Sequence, residues 1–173
     1  MVSCWGQNTH GQTQVPTGTF IDVSAGEYHT CGVQTDGTAR CWGIDDGSSS
    51  DNGQVRDTPS GTFASISAGS LHSCALDTHS TVVCWGDDSY GQATPPTNAF
   101  LGVSAGSLHT CGVTTTHEIL CWGENSFGQS TAPSGDFSAV ESGAFHTCAV
   151  STTGVTTCWG WGDFGQTTTP SIT

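Results

Sequence analysis

"HTCGVQTDGTARCWG", residues 29–43, is the stretch whose reading decides the fold. Cys31 and Cys41 stand symmetrically about Asp36-Gly37, a dipeptide suited to a hairpin turn. The arrangement returns three times. His72-Ser73-Cys74 leads to Cys84-Trp85-Gly86, His109-Thr110-Cys111 to Cys121-Trp122-Gly123, and His146-Thr147-Cys148 to Cys158-Trp159-Gly160. A fifth triplet, Cys4-Trp5-Gly6, has no upstream partner. Successive triplets are spaced by 37, 43, 37 and 37 residues, and the long interval carries the insertion "IDDGSSSDNGQ" (44–54). A fixed period near forty residues that tolerates insertion at one point marks a repeat architecture.

One unit reads clearly in "TNAFLGVSAGSLHTCGVTTTHEILCWGENSFGQSTAP" (97–133). "FLGVSAG" alternates apolar with small or polar residues, as a half-buried strand does. "HTCGVT" and "EILCWG" supply two more strands, joined by turn chemistry that is explicit in the "TDGT" and "TTG" of other units. A glycine-rich loop then closes on Gly-Gln, at residues 11–12, 53–54, 91–92, 128–129 and 165–166. A Thr- and Pro-rich segment follows, such as Thr94-Pro95-Pro96, where a fourth strand is expected only at an edge because proline cannot donate to a ladder. Three or four short antiparallel strands per forty residues describe a propeller blade, and no stretch holds a helical period. The expected fold is all-β, a β-propeller-type repeat: a partial unit at 1–16, then units at 17–59, 60–96, 97–133 and 134–173. Such an array is expected to form a partial propeller, a small ring, or an open or oligomer-completed assembly.

Cross-strand cysteines opposed in a hairpin lie within disulfide reach. The pairs expected are Cys31–Cys41, Cys74–Cys84, Cys111–Cys121 and Cys148–Cys158. Each staple contributes roughly 2 to 3 kcal/mol to a unit with little core of its own. A zinc site on His29, Cys31 and Cys41 lacks a recurring fourth ligand and the tight Cys-x2–4-Cys spacing. Cys4 is left over: either its partner sits in a missing upstream repeat, or it pairs between chains. Disulfides place the chain in an oxidising setting, secreted or at the cell surface.

Composition sets further bounds. Two arginines, Arg40 and Arg56, face fifteen carboxylates, for a net charge of −13. Phosphate neutralisation needs Lys and Arg, so nucleic acid is not an expected partner. No run of about 18 apolar residues suits a membrane span. "MVSCWG" has neither the basic nor the apolar region of a signal peptide, and Met1 enters on a mid-repeat triplet, as at a fragment boundary.

"VSAGSLHTCGV" followed by "CWGENSFGQ" resembles the repeat of the regulator of chromosome condensation family, in the cysteine-bearing version common in secreted bacterial proteins. The resemblance covers essentially the whole chain and implies propeller blades, typically seven to a ring. It also implies several functions, since some relatives are nucleotide exchange factors that bind chromatin and others are secreted inhibitors or interaction modules. The acidic balance and the cysteines disfavour the first of these here.

Catalysis needs unlike residues converging on one point. Here the polar residues recur alike, and the unique ones (His10, His79, His117, Asp77) are scattered, so no enzyme and no cofactor are expected. His29, His72, His109 and His146 read as one structural role repeated per blade. The loops after each Cys-Trp-Gly vary on a fixed frame, which is where binding usually lives. They supply the binding candidates Asp87, Asp88, Tyr90, Glu124, Phe127, Trp161, Asp163 and Phe164. Asp45, Asp46 and Asp51 offer weak calcium candidates, outside any EF-hand pattern. The expected function is a non-enzymatic extracellular interaction and self-assembly module. Its partners are expected to be further copies of itself, as an oligomer or filament, or another extracellular protein. The alternatives are a calcium- or glycan-binding module, or an enzyme inhibitor acting through its loops. Trp159, Trp161 and Phe164 are expected to form an uncovered apolar end.

Overall fold

The computed structural model describes residues 1–169, so the end of the fourth unit lies outside the described residues. Twelve strands form four separate three-stranded antiparallel sheets. The first blade is β1 (Phe20–Ala25), β2 (His29–Gln34) and β3 (Ala39–Gly43). The second is β4 (Phe63–Ala68), β5 (His72–Asp77) and β6 (Val82–Gly86); the third is β7 (Phe100–Ala105), β8 (His109–Thr114) and β9 (Ile119–Gly123). The fourth is β10 (Phe137–Ser142), β11 (His146–Ser151) and β12 (Thr156–Gly160).

Register follows from the turns. In each blade the two cysteines are direct cross-strand partners. All four disulfides form as the spacing predicts, with Cα atoms 4.0 Å apart in each. A bulge early in each first strand, for example between Phe63 and Ser65, shifts the register by one residue and keeps Phe63 and Ile66 buried.

Among the described residues the expected fourth strand is absent. Thr94-Pro95-Pro96 and its described counterparts run without ladder pairing, so the blades are three-stranded. These segments instead carry the chain from the Gly-Gln loop to the next first strand.

The core lies between blades, not within them. The disulfide face of one blade packs on the first strand and tryptophan of the next. Cys31 and Val33 meet Phe63, Ile66 and Trp85; Cys74, Leu76 and Val82 meet Phe100 and Trp122. Cys111, Val113 and Ile119 meet Phe137, Val140 and Trp159. Each blade thus covers its neighbour in chain order, and no extensive contact returns from the fourth blade to the first. The result is an open arc with two different ends.

Candidate functional site

Blade junctions repeat one polar device. His29 Nε2 lies 2.7 Å from Ser73 Oγ, His72 Nε2 2.8 Å from Thr110 Oγ1, and His109 Nε2 2.9 Å from Thr147 Oγ1. Thr110 Oγ1 donates to the Gln92 carbonyl, and Thr147 Oγ1 to that of Gln129. The Thr110 and Thr147 hydroxyls therefore accept from His72 and His109, which fixes the Nε2–H tautomer of those two rings. The three Nδ1 atoms are buried without a partner. Burial lowers the pKa of these three imidazoles to about 4, because a charged ring would be desolvated. Their role is structural, as the repetition predicts.

The recurring Gly-Gln has a role that spacing alone did not reveal. Gln54, Gln92 and Gln129 are fully buried. Each side-chain carbonyl accepts a backbone amide two residues earlier, from Asn52, Tyr90 and Phe127. Each backbone carbonyl accepts the indole N–H of the next blade's tryptophan, Trp85, Trp122 or Trp159. The loop after one blade is therefore the clasp on the next. Gln12 does the same for Trp42, at 3.0 Å, so the N-terminal segment sits on the first blade as the loop of a preceding one.

This geometry separates the candidate loop residues. Asp87 accepts Ser89 N and the Gln92 amide, Asp88 accepts Ala93 N, and Glu124 accepts Ser126 N and the Gln129 amide. These carboxylates hold their own loops. Tyr90, Phe127 and Phe164 point outward, 57%, 50% and 83% exposed. Trp161 clusters edge-on with Phe145 and Phe164 and packs against Phe127, which gathers four aromatics at one rim of the fourth blade. Asp163 is exposed beside them. In the insertion, Arg56 Nη1 sits 3.2 Å from Asp45 and 3.5 Å from Asp51, while Asp46 faces His10 at 3.3 Å. Amides of Gly47 and Gly53 bond Asp51 and hold its carboxyl below the usual range. Among the described residues no group of three or more His, Cys, Asp or Glu side chains converges on a point.

The two ends of the arc are the remaining candidates. On the fourth blade the disulfide face is open: Val150 is 36% exposed and Thr156 is exposed, whereas Val33, at the Val150 position of the first blade, and Val82 and Ile119, at the Thr156 position of the second and third, are buried. The apolar end predicted from Trp159 is misplaced, because Trp159 packs inward on the third blade's disulfide face. The open surface is that of Cys148, Val150 and Cys158, which no blade among the described residues covers. At the other end Cys4 is a free thiol and Trp5 is 87% exposed.

Comparison with known proteins agrees with this architecture. The regulator of chromosome condensation (RCC1) repeat matches four times, over residues 20–54, 63–92, 101–129 and 137–166. No curated protein matches the chain. Among solved structures, the ectodomain of the receptor kinase CR4 from Physcomitrella patens is 30% identical with a TM-score of 0.75, over 91% of this chain and 42% of that one. The CRINKLY WD40 ectodomain of the Arabidopsis thaliana receptor kinase ACR4 is 31% identical with a TM-score of 0.64, over 81% and 49%. Prp20p of Saccharomyces cerevisiae, described with its binding to Gsp1p and histones, shares the fold at 16% identity and a TM-score of 0.72, over 88% and 48%. The chain thus spans less than half the length of these structures. With four matches covering most of its length and one blade formed by each, the chain belongs to the regulator of chromosome condensation repeat family.

Proposed function

We propose that the protein is a non-enzymatic interaction module of an oxidising, extracellular setting, and that it associates with itself through the two ends of its arc. One observation carries this reading. The disulfide face buried at three successive junctions is repeated on the fourth blade, where nothing among the described residues covers it. Covering such a face contributes roughly 25 cal/mol per Å² of apolar surface before the cost of association. The ends differ, so contact is head-to-tail and gives a ring if the rotation closes and a filament if it does not. Four disulfides and the likeness to two receptor ectodomains support the extracellular setting. A net charge of −13 with two arginines weighs against nucleic acid as the partner. Sedimentation over a concentration series tests the proposal. Mass is expected to rise between low and high micromolar concentration; a monomer throughout that range refutes it.

A second reading has its own observation: the half or more of Tyr90, Phe127 and Phe164 exposed on equivalent loops. Aromatic anchors on a rigid frame suit binding of another extracellular protein. If this edge carries the contact, Tyr90→Ala and Phe127→Ala remove association and Val150→Asp leaves it intact.

A further inference from the structure

The self-association proposed above leaves open how the ends join, and the geometry points to strand exchange. We propose that Cys4 of one copy displaces Cys158 from Cys148 of another. Residues 4–16 of the first copy then replace the third strand and loop of the second copy's fourth blade.

Residues 4–16 and 158–170 are two versions of the same element, Cys-Trp-Gly followed by Gly-Gln. The first version already lies on the first blade as a preceding blade's loop would. The Gln12 carbonyl accepts Thr30 Oγ1 and Trp42 Nε1, both at 3.0 Å, as the Gln92 carbonyl accepts Thr110 Oγ1 and Trp122 Nε1 at 2.9 and 2.8 Å. Simple stacking in the same geometry is therefore blocked. A fourth blade bringing its own loop, residues 161–169, would meet residues 4–16 in the place that loop must occupy. Exchange removes the collision, because only one of the two equivalent segments is then needed.

What the first blade lacks is what the fourth blade holds unused. A cleft of about 340 Å³ opens between Cys4, Trp5, Ala25, Gly26 and Thr30. At the internal junctions the equivalent place beside Ser73 or Thr110 holds the ring of His29 or His72. Among the described residues His146 has no hydroxyl opposite it, so in an exchanged pair it reaches Thr30 as the other histidines reach theirs. First strands are also linked edge to edge: Ala68 N donates to Ser24 Oγ, Ala105 N to Ser67 Oγ and Ser142 N to Ser104 Oγ, each at 2.9 Å. On the fourth blade Glu141 stands at this serine position; one of its carboxylate oxygens accepts Ser104 Oγ at 3.2 Å, and in an exchanged pair the other would accept the Ala25 amide. Trp5 takes the place of Trp159 under the Gln129 carbonyl.

The chemistry balances without an oxidant. The Cys4 thiolate attacks Cys148 Sγ, a Cys4–Cys148 bond forms as the Cys148–Cys158 bond breaks, and Cys158 leaves as a thiolate that takes up the proton lost by Cys4. Access selects this bond. Cys31, Cys74 and Cys111 are 0% exposed, while Cys148 at the open end is only partly buried.

The test is incubation of the purified protein at pH 8 with a trace of reduced glutathione as exchange catalyst. Alkylation, non-reducing electrophoresis and peptide mapping follow. An interchain Cys4–Cys148 peptide with alkylated Cys158 is expected. Cys4→Ser, which breaks no existing disulfide, abolishes the covalent species. Trp5→Ala, at a side chain exposed in the single copy, lowers its yield about tenfold. Dimers linked Cys4–Cys4, or association with Cys4 still free, overturn exchange and leave self-association standing. A Cys4–Cys148 bond within a monomer overturns the second copy as occupant. A monomer with Cys4 free removes both.

Discussion

His72 Nε2 lies 2.8 Å from Thr110 Oγ1, across the boundary between the second and third blades, and its Nδ1 meets no donor or acceptor. Because the ring is neutral and buried, its protonation is tied to the integrity of the junction. The folded pKa of His29, His72 and His109 is about 4, below the unfolded value near 6.5. Between those values the unfolded chain binds more protons, so stability rises with pH there. It is fully present above pH 6.5 and is lost as pH falls towards 4. Across that window each histidine contributes on the order of 3 kcal/mol. Urea midpoints at pH 7 and pH 4.5 should differ strongly, and His72→Gln should flatten the dependence. A pH-independent midpoint would falsify the assignment.

Gly69 sets how closely two blades approach. A Cβ there would stand 2.3 Å from the Gly106 carbonyl and 2.4 Å from His72 Cε1. The carbonyl is backbone of the next blade and cannot swing away. Gly69→Ala should cost at least about 1 to 3 kcal/mol, the range for overpacking. Gly91→Ala probes another source of strain, since it meets open space but has a φ of +80°. Thermal unfolding should show a smaller loss there, of about 1 kcal/mol. Equal losses would mean that close approach at Gly69 is not what matters.

Strands, hairpins and disulfides were legible in the sequence because they are local. Cys31 and Cys41 oppose each other once the turn at Asp36-Gly37 is recognised, and no other part of the chain is needed. What crosses between blades was not legible. Gln92 shows its recurrence in the sequence, but its two functions need the fold of its loop and the position of Trp122, thirty residues on. From spacing alone Trp159 reads as an open end, because spacing does not say which way a blade faces. The register shows that its tryptophan side points back along the chain and its disulfide side forward. The absent fourth strand has a simpler cause, since Thr94-Pro95-Pro96 lacks the donors to compete for an edge.

Gln92 holds a loop and, through that loop, the next blade. Its Oε1 accepts Tyr90 N at 2.8 Å and its Nε2 donates to Asp87 at 2.7 Å, while the residue itself is 0% exposed. Gln92→Ala strands these partners and should cost about 2 to 3 kcal/mol. Hydrogen exchange should quicken first in residues 87–93 and at the Trp122 indole. Quickening confined to the loop would show that the clasp and the junction are independent.

The four disulfides share one geometry but not one environment, so they should be reduced in a defined order. Cys31, Cys74 and Cys111 are each covered by the following blade and are 0% exposed. Cys148 occupies the same position on the fourth blade, where it is partly exposed and no blade among the described residues covers it. Attack by an external thiolate requires access to a sulfur along the bond axis; each internal pair offers only its second, partly exposed cysteine (Cys41, Cys84 or Cys121), whereas both Cys148 and Cys158 are partly exposed. Cys148–Cys158 should therefore be reduced first by dithiothreitol under native conditions, by about tenfold or more. The other three should follow at the rate of local opening. Timed alkylation with mass spectrometry of each cysteine pair reads the order directly. Below pH 5 the histidine junctions loosen, so in an acid-stable phosphine reductant the gap between the fourth pair and the rest should narrow. Simultaneous loss of all four pairs at pH 8 would mean that the blades open together and that the free end has no separate reactivity.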